Sequence, residues 1–522
     1  MSENNADFVI EAERKIPVYK KVGVLVCGSG SAGLAAAVSA ARNGADVLLV
    51  ERNSYLGGQS TAAYQNWFGG PTDILTGFAR EFAVRLDERG GARLLERYKT
   101  QTAETGIQPL TYHLAIEPEE WKYLAADIAE EAGVKVLTTT WVSGPIMEGR
   151  EIKGVIIENK SGRQAILADV VVDATGDADI AARSGAEMDK LPKSGYLIAM
   201  IPGFRMGGID YKKIAEYARE HPDDFWPNQG VPPGDFDGEN TASIQGIAGW
   251  FSLVREGKEK GEFPKELTGI SLQVNPFHIK NGIGYFVGAH LSSSVAEGKR
   301  FPWNAEDVAK VEIAGRNRAR KFAKFLKKIP GFEDSFLIEV SPTVGPQDSR
   351  RIIGDYVLTR KDEYNGRTFD DDIALITMTW PDLPVADEED DGWMMHPVAE
   401  KMSEDWRSAL RGPRFQVIFG VPYRCLIPKD FDGLLVAGQT ISMTYMAHEP
   451  GPCRGMVPCM HWGQAAGTAA AIASKQGVSP RKVDIPTLRD TLQSQGANLR
   501  KDAIDMSEVK KMPRSANLSH TA

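Results

Sequence analysis

Residues 22–51, VGVLVCGSGSAGLAAAVSAARNGADVLLVE, decide the fold of this chain. The run Val22–Cys27 is short, apolar and rich in β-branched residues, which predicts a buried strand. The alanine-rich stretch up to about Asn43 predicts a helix that Gly44 ends, and Asp46–Glu51 predicts a second strand. Strand, glycine-rich turn, helix and strand form a βαβ unit, the building block of a parallel sheet.

The turn between the first strand and the helix carries glycine at positions 28, 30 and 33, the pattern GxGxxG. In such a turn Gly28 permits the tight bend, Gly30 lets a pyrophosphate approach the backbone, and Gly33 allows the helix to pack on the sheet. Glu51 ends the second strand about 20 residues later, where a carboxylate accepts hydrogen bonds from a ribose diol and repels a 2′-phosphate. The pattern predicts a bound dinucleotide.

Three further features of the sequence point to FAD as the dinucleotide. GGQS at 57–60 follows Glu51 closely, as expected where the backbone passes a second part of a long cofactor. VVVDATGD at 170–177 and LLVAGQ at 434–439 both read as strands that end in glycine. After the second of these, a helix of very small residues is predicted to begin near Trp462 and to include GQAAG at 463–467.

These segments resemble FAD-dependent oxidoreductases with the glutathione-reductase type of dinucleotide fold, and among them the proteins related to fumarate reductase flavoproteins. The matching stretches are IPVYKKVGVLVCGSGSAG, LLVERNSYLGGQST, VVVDATGDADIAARSGA, DSRRIIGDYVLT, VPYRCLIP, LLVAGQTIS and VPCMHWGQAAGTAAA. The resemblance implies an α/β fold in which a Rossmann-like FAD-binding domain, a parallel sheet with helices, is interrupted by a mixed α+β substrate or cap domain. It also implies that the helix opening at Gly463 points its N-terminus at the flavin, where the helix dipole stabilises the reduced ring.

Motifs and resemblance together predict one extended cofactor site. Its residues are Gly28, Gly30, Ser31, Ala32, Gly33, Glu51, Arg52, Gly58, Gln59, Ser60, Thr175, Gly176, Asp177, Gly438, Gln464 and Ala465.

Changes of composition along the chain predict its organisation. Residues 187–340 are rich in proline and aromatic residues and lack the βαβ rhythm, so we expect an inserted substrate domain. The predicted segments are an N-terminal extension at 1–16, the two parts of the FAD-binding domain at 17–186 and 341–498, the inserted domain at 187–340, and a polar tail at 499–522.

The candidates for catalysis concentrate in MAHEPGPCRGMVPCMHWGQAAG, residues 446–467, which connects a cofactor strand to a cofactor helix. His448 can act as acid or base, and Arg454 can hold a carboxylate or an enolate-like oxygen. For each of them a structural hydrogen bond in a tight loop is the alternative reading. The weaker candidates here are Glu449, Cys453 and His461, and those in the inserted domain are His278 and His290.

Composition excludes several classes of partner. The chain has 42% hydrophobic and 25% charged residues, as ordinary globular proteins do. Its net charge of −9 opposes binding to nucleic acid or to anionic membranes. Four cysteines are too few for a disulfide scaffold and match no metal spacing, and no secretory signal or integral membrane segment is recognisable, so we expect a cytoplasmic protein without a bound metal.

The leading hypothesis is an enzyme that moves a hydride between a small organic substrate and flavin N5, either as a dehydrogenase or as an oxidase. With a single GxGxxG, a dedicated NAD(P)H domain is not expected, so a separate electron carrier, a quinone or O2 would complete the reaction. Two alternatives stay open: a flavin monooxygenase, and a non-enzymatic FAD-fold binding protein. Assembly into a homo-oligomer is compatible with all three.

Overall fold

The computed structural model describes residues 11, 13–65, 67–70, 75–92, 112–191, 197, 200–225, 246–264, 270–286, 300–381, 414–448 and 452–503. The strands are β1 (Val18–Cys27), β2 (Val47–Val50), β3 (Trp67–Gly70), β4 (Tyr112–Ala115), β5 (Lys135–Leu137), β6 (Trp141–Glu148), β7 (Glu151–Asn159), β8 (Gly162–Asp173), β9 (Met200–Ile201), β10 (Phe204–Gly207), β11 (Gly246–Gly249), β12 (Ile270–Gln273), β13 (Gly284–Phe286), β14 (Phe336–Val340), β15 (Gly345–Pro346), β16 (Asp372–Pro381), β17 (Arg414–Pro422) and β18 (Leu434–Val436).

Helices of very different lengths connect these strands. They are α1 (Ser31–Arg42), α2 (Gln59–Ala62), α3 (Gly77–Glu88), α4 (Pro118–Glu131), α5 (Asp179–Arg183), α6 (Tyr211–Glu220), α7 (Phe251–Glu259), α8 (Pro276–Lys280), α9 (Ala305–Leu326), α10 (Arg360–Tyr364), α11 (Tyr445–His448), α12 (Met456–Gln476) and α13 (Ile485–Ser494). Among the described residues, no helix is both long and apolar enough to span a bilayer.

The first sheet has a parallel centre in the order β5, β2, β1, β8 and β18. Its central strands are buried where they pair, as parallel strands between layers of helices must be. On the side of β8 opposite β1, β18 pairs with the last residues of β8 and β7 pairs antiparallel with its first half; β6 then pairs antiparallel with β7. The predicted βαβ unit is confirmed, since β1, α1 and β2 occupy the expected residues and the carboxyl ends of the parallel strands meet at one edge.

A second, antiparallel sheet has the order β11, β12, β13, β10 and β14. It has an apolar core of its own, in which Phe204 stacks on Phe286 at 5.0 Å and Phe322 of α9 packs edge-on against Phe204. Strand β9, which precedes this sheet in the chain, pairs antiparallel with β15, which follows it.

The position of α12 corrects the sequence-based prediction. This helix begins at Met456 rather than near Trp462, so Gly463 lies inside it and cannot point a helix N-terminus at a ligand. A Cβ on Gly463 would come 2.1 Å from the Ala32 carbonyl oxygen, and one on Gly467 2.0 Å from that of Ala36. These two glycines allow α12 to cross α1 at close distance, because they have no Cβ.

We expect Gly467→Val to lower the free energy of unfolding by about 3 kcal/mol or more, because the helices must separate to admit the side chain. Urea unfolding followed by circular dichroism measures the change. Gln476→Val, at an exposed position near the end of the same helix, is the control and should cost less than about 1 kcal/mol. Equal stability of the two variants would contradict the proposed crossing contact.

Candidate active site

The three glycines of the turn after β1 have different surroundings. Gly28 has φ +98°, and a Cβ there would lie 2.3 Å from the Ala174 carbonyl oxygen. A Cβ on Gly33 would lie 1.7 Å from the Gly28 carbonyl oxygen, so the protein itself requires both glycines. At Gly30, by contrast, a Cβ would meet only the Cα of Gly58, at 3.8 Å. Gly30 therefore leaves space that the described protein atoms do not use.

The start of α1 suits a phosphate group. Gly30 is its N-cap and supplies no side-chain acceptor, so the first N–H groups of the helix, at Ser31, Ala32 and Gly33, receive no cap from it. These groups and the helix dipole attract an anion. The predicted residues Ser31 and Ala32 thus lie where a pyrophosphate beside Gly30 would contact them.

Glu51 directly follows β2 and is buried. Its carboxylate accepts hydrogen bonds from the N–H and the hydroxyl of Ser29, at 2.8 and 2.6 Å, and from the N–H of Asn53 at 2.8 Å. Arg52 extends toward a different neighbour, and its guanidinium lies 5.6 Å from the ring centre of Trp141. Trp141 is 57% exposed and was missed by sequence reasoning, because only the parallel pairing of β2 with β5 brings it beside Arg52.

The loop that follows brings the predicted residues Gly58, Gln59 and Ser60 beside two distant segments. Gly58 is in close backbone contact with Gly30, since a Cβ on Gly58 would lie 2.6 Å from the Gly30 Cα. Gln59 donates from Nε2 to the Pro346 carbonyl oxygen at 2.6 Å, and the Ser60 hydroxyl lies 3.1 Å from the sulfur of Met456, the first residue of α12. This loop therefore connects the glycine turn to β15 and to the true start of α12.

The three predicted cofactor residues in the turn after β8 differ in their contacts. Thr175 is committed to the turn, since its hydroxyl donates to Asp173 at 2.7 Å and accepts from the Asp179 N–H at 2.9 Å. Gly176 has φ +88°, and a Cβ there would meet no atom within 4 Å, so its surroundings are open. Asp177 is buried and accepts a hydrogen bond from the Ser349 hydroxyl at 2.6 Å.

At the other end of the predicted site, Gly438 follows β18 with φ +102° and faces Ala32. Gln464 lies in the middle of α12, where its Oε1 accepts a hydrogen bond from the Phe78 N–H at 3.1 Å. Ala465 is fully buried beside it. Gly438 therefore adjoins the glycine turn, whereas Gln464 and Ala465 lie within the helix and not at its end.

His448 lies at the end of α11 and is fully buried. Its Nδ1 is 3.4 Å from Oδ1 of Asp348, and the Gln439 backbone lies near enough to favour the protonated ring, yet among the described residues neither ring nitrogen makes a hydrogen bond of regular geometry. Asp348 Oδ2 and the buried Nε of Arg454 also lack partners there. Arg351 is ion-paired with Asp348 at 2.7 Å and with Asp189 at 3.1 Å, so it braces the cluster.

The electrostatics of this cluster fix its protonation. Burial, followed by the charges of Arg351 and Arg454, holds the pKa of His448 well below its usual value. Burial raises the pKa of Asp348, and the two arginines partly oppose that rise. His448 is consequently a neutral imidazole near pH 7 and is able to accept a proton. Sequence reasoning missed Asp348, although the DSRR stretch that contains it carries part of the family resemblance.

The remaining candidates differ in position. Cys453 donates from its thiol to Glu363 at 3.3 Å, and burial raises its pKa, so it is a neutral thiol. All four cysteines are free and buried. His461 is buried on α12, while Glu449 and His290 lie outside the described residues. Among the described residues, no group of three acidic, histidine or cysteine side chains is arranged to hold a metal ion.

His278 contacts Glu117, directly before α4, rather than an open surface. Its Nδ1 accepts from the Asn275 N–H at 3.1 Å, which leaves the proton on Nε2, 3.0 Å from Oε2 of Glu117. Tyr285 also donates to Glu117, at 3.2 Å. Burial raises the pKa of Glu117, but the hydrogen bond and charge of His278 outweigh this and lower it. His278 is thus a satisfied structural histidine where α8 and β13 meet the start of α4.

Comparison with known proteins places this geometry in a family. The chain is 32% identical over 179 residues to a thiamine thiazole synthase of Aeropyrum pernix, and 29% identical over 193 residues to an acrylate reductase flavoprotein subunit of Shewanella woodyi. These alignments cover 31% and 34% of this chain, and 58% and 37% of the two relatives. The chain thus spans less than two thirds of each relative.

A solved structure of a geranylgeranyl bacteriochlorophyll reductase-like protein from Thermoplasma acidophilum aligns with 91% of this chain and 83% of its own, at 16% identity and a TM-score of 0.42. Residues 23–492 match the family described as FAD dependent oxidoreductase. Because that match spans most of the chain, the protein belongs to the FAD-dependent oxidoreductases and FAD is its cofactor.

Proposed function

We propose that the protein transfers a hydride between a small organic substrate and N5 of FAD, with a separate carrier, a quinone or O2 as the other electron partner. One observation carries this proposal. Four buried polar atoms without hydrogen-bond partners among the described residues belong to three neighbouring side chains, His448, Asp348 and Arg454, next to the segment that leads into α12. Such orphaned groups are costly in a protein interior, which indicates that a polar ligand completes them.

The glycine turn, the start of α1 and Glu51 are suited to bind FAD. We propose that the pyrophosphate lies against Gly30 and the start of α1, that Glu51 holds the ribose, and that the pair Arg52 and Trp141 flanks the adenine. The flavin end would then reach the loop at 58–60 and the start of α12. Bound there, FAD supplies the hydride acceptor of the reaction.

The protein's own groups would prepare the substrate. Arg454 would bind an anionic or carbonyl oxygen through its unpartnered Nε. In the oxidative direction, neutral His448 would accept the proton that a hydroxyl or amino group loses as the neighbouring C–H hydride leaves. Asp348 would orient the imidazole and stabilise its charged form. We infer that residues 187–340 form the unit that covers this site, since ligand sites favour the junction of two units.

Anaerobic reduction of the bound flavin, screened with a panel of small hydroxy acids, amino acids, amines and alcohols, tests the proposal. We expect one class to bleach the flavin absorbance, in proportion to the substrate added. If NAD(P)H instead bleaches it rapidly and oxygen uptake is coupled to a substrate, the protein is a monooxygenase. If every donor and acceptor fails, the non-enzymatic alternative is favoured and the proposal is rejected.

A further inference from the structure

The short connection between α2 and β3 contains a strained residue. Tyr64 is buried and has φ +51°, in the left-handed region that non-glycine residues avoid. Such a conformation persists only where the surroundings impose it, and it concentrates at functional sites.

Residues of the second sheet hold the turn. The Ala63 carbonyl oxygen accepts a hydrogen bond from the Gly203 N–H at 3.2 Å. The Tyr64 ring packs edge-on against Tyr285 of β13, with 5.6 Å between ring centres. Burial, followed by the nearby carboxylate of Glu339 on β14, raises the pKa of the Tyr64 hydroxyl, and Glu339 is ion-paired with Arg205 at 2.6 Å. Two strands of the second sheet, and Gly203 just before a third, thus hold the turn at Tyr64 in place.

The turn determines where Gln65 lies. Its backbone N–H bonds back to the Gln59 carbonyl oxygen at 3.1 Å, and its side chain is only 8% exposed. Gln65 Oε1 accepts from Nε2 of Gln347 at 3.4 Å. Gln65 Nε2 is buried and has no partner among the described residues. Gln347 precedes Asp348, so the group that orients this amide belongs to the same loop as the acid–base cluster.

Gly345 of β15 lies beside the side chains of Gln59 and Gln65. A Cβ on Gly345 would lie 3.3 Å both from Gln65 Cγ and from Gln59 Oε1. β15 therefore lies close to both glutamine side chains, and it binds that of Gln59 directly through the Pro346 carbonyl oxygen. A buried N–H₂ group without an acceptor is costly unless a ligand supplies one.

We propose that Gln65 is a ligand-binding residue whose Nε2 donates to an acceptor oxygen beside the flavin, with Gln347 fixing its orientation and the second sheet fixing its turn. The acceptor is either a ring oxygen of the flavin or a carbonyl or carboxylate oxygen of the substrate. The substrate arm rests on the proposed function, whereas the flavin arm requires only bound FAD.

Gln65→Met tests this inference, because methionine keeps the length and removes the donor. We compare the FAD-loaded variant with the wild type by visible spectrum, by two-electron midpoint potential, by FAD dissociation constant and by KM and kcat for the substrate from the panel. Gln493→Met, at an exposed position of α13, is the control. Gln65→Glu, which puts an acceptor where the donor was, is the second variant if the first does not fold.

If the oxygen belongs to the substrate, we expect KM to rise about tenfold or more with a smaller change in kcat and an unaltered spectrum. If it belongs to the flavin, the spectrum and potential shift and the FAD dissociation constant rises, even when no substrate has been found. The inference is wrong if Gln65→Met, or Gln65→Glu in its place, stays within about twofold of the wild type in every one of these measurements. Lack of flavin in the wild type itself would count against the proposed function and would be visible before any variant is made.

Discussion

Gly30→Val is expected to give a folded but colourless protein. The protein atoms leave room for the first side-chain carbon, since a Cβ at this position meets only the Gly58 Cα at 3.8 Å, and we therefore expect the fold to tolerate the substitution. The valine instead fills the space at the start of α1 that we assign to the pyrophosphate, so FAD affinity should fall about 100-fold or more. Flavin absorbance of the purified protein and fluorescence titration of the apoprotein with FAD measure this.

Gly144→Val is the matched control for that experiment. Gly144 lies in β6, has no atom within 4 Å of a Cβ and has no positive φ, so this variant should stay yellow. Gly28→Val would be uninformative, because its clash with Ala174 and its positive φ damage folding as well. Full flavin occupancy in Gly30→Val, with stability equal to the wild type, would remove Gly30 from the cofactor site.

The first βαβ unit could be predicted because its signals are local. Hydrophobic runs, the glycine spacing and Gly44 each act within one or two turns of chain, and β1, α1 and β2 occupy the expected places. The start of α12 could not be predicted in this way, because a proline such as Pro458 usually indicates that a helix has ended. It lies in the first turn, where no N–H is needed for an intrahelical bond, so the helix tolerates it.

The candidate site was predictable to a different extent. Gly30 and His448 were found from motif and loop position, and the structure shows open space beside the first and unpartnered nitrogens on the second, within the described part of the chain. Asp348, Trp141 and Gln65, to which we assign proposed roles, were not found, because what distinguishes them depends on neighbours far away in sequence. A buried amide such as that of Gln65 has no signature in composition or periodicity; only its missing partner identifies it.

His448→Ala and Arg454→Ala are expected to retain FAD but to lose substrate-driven reduction. Removal of the base should slow flavin reduction by about 10²–10⁴-fold, as for general acid–base groups elsewhere. Removal of the guanidinium should mainly weaken substrate binding. Stopped-flow reduction under anaerobic conditions separates the two effects. The controls are His221→Ala, directly after α6, and Arg320→Ala, in α9, both at exposed positions.

The pH dependence distinguishes a catalytic His448 from a structural one. Arg454 contributes to the lowered pKa of His448, so Arg454→Ala should raise that pKa. Because the reaction needs the neutral imidazole, the rate is lost as pH falls through its pKa, and this loss should begin at a higher pH in the variant. A structural histidine would leave the pH profile unchanged. Unaltered reduction rates in His448→Ala, or an unshifted profile in Arg454→Ala, would therefore count against proton transfer by this residue.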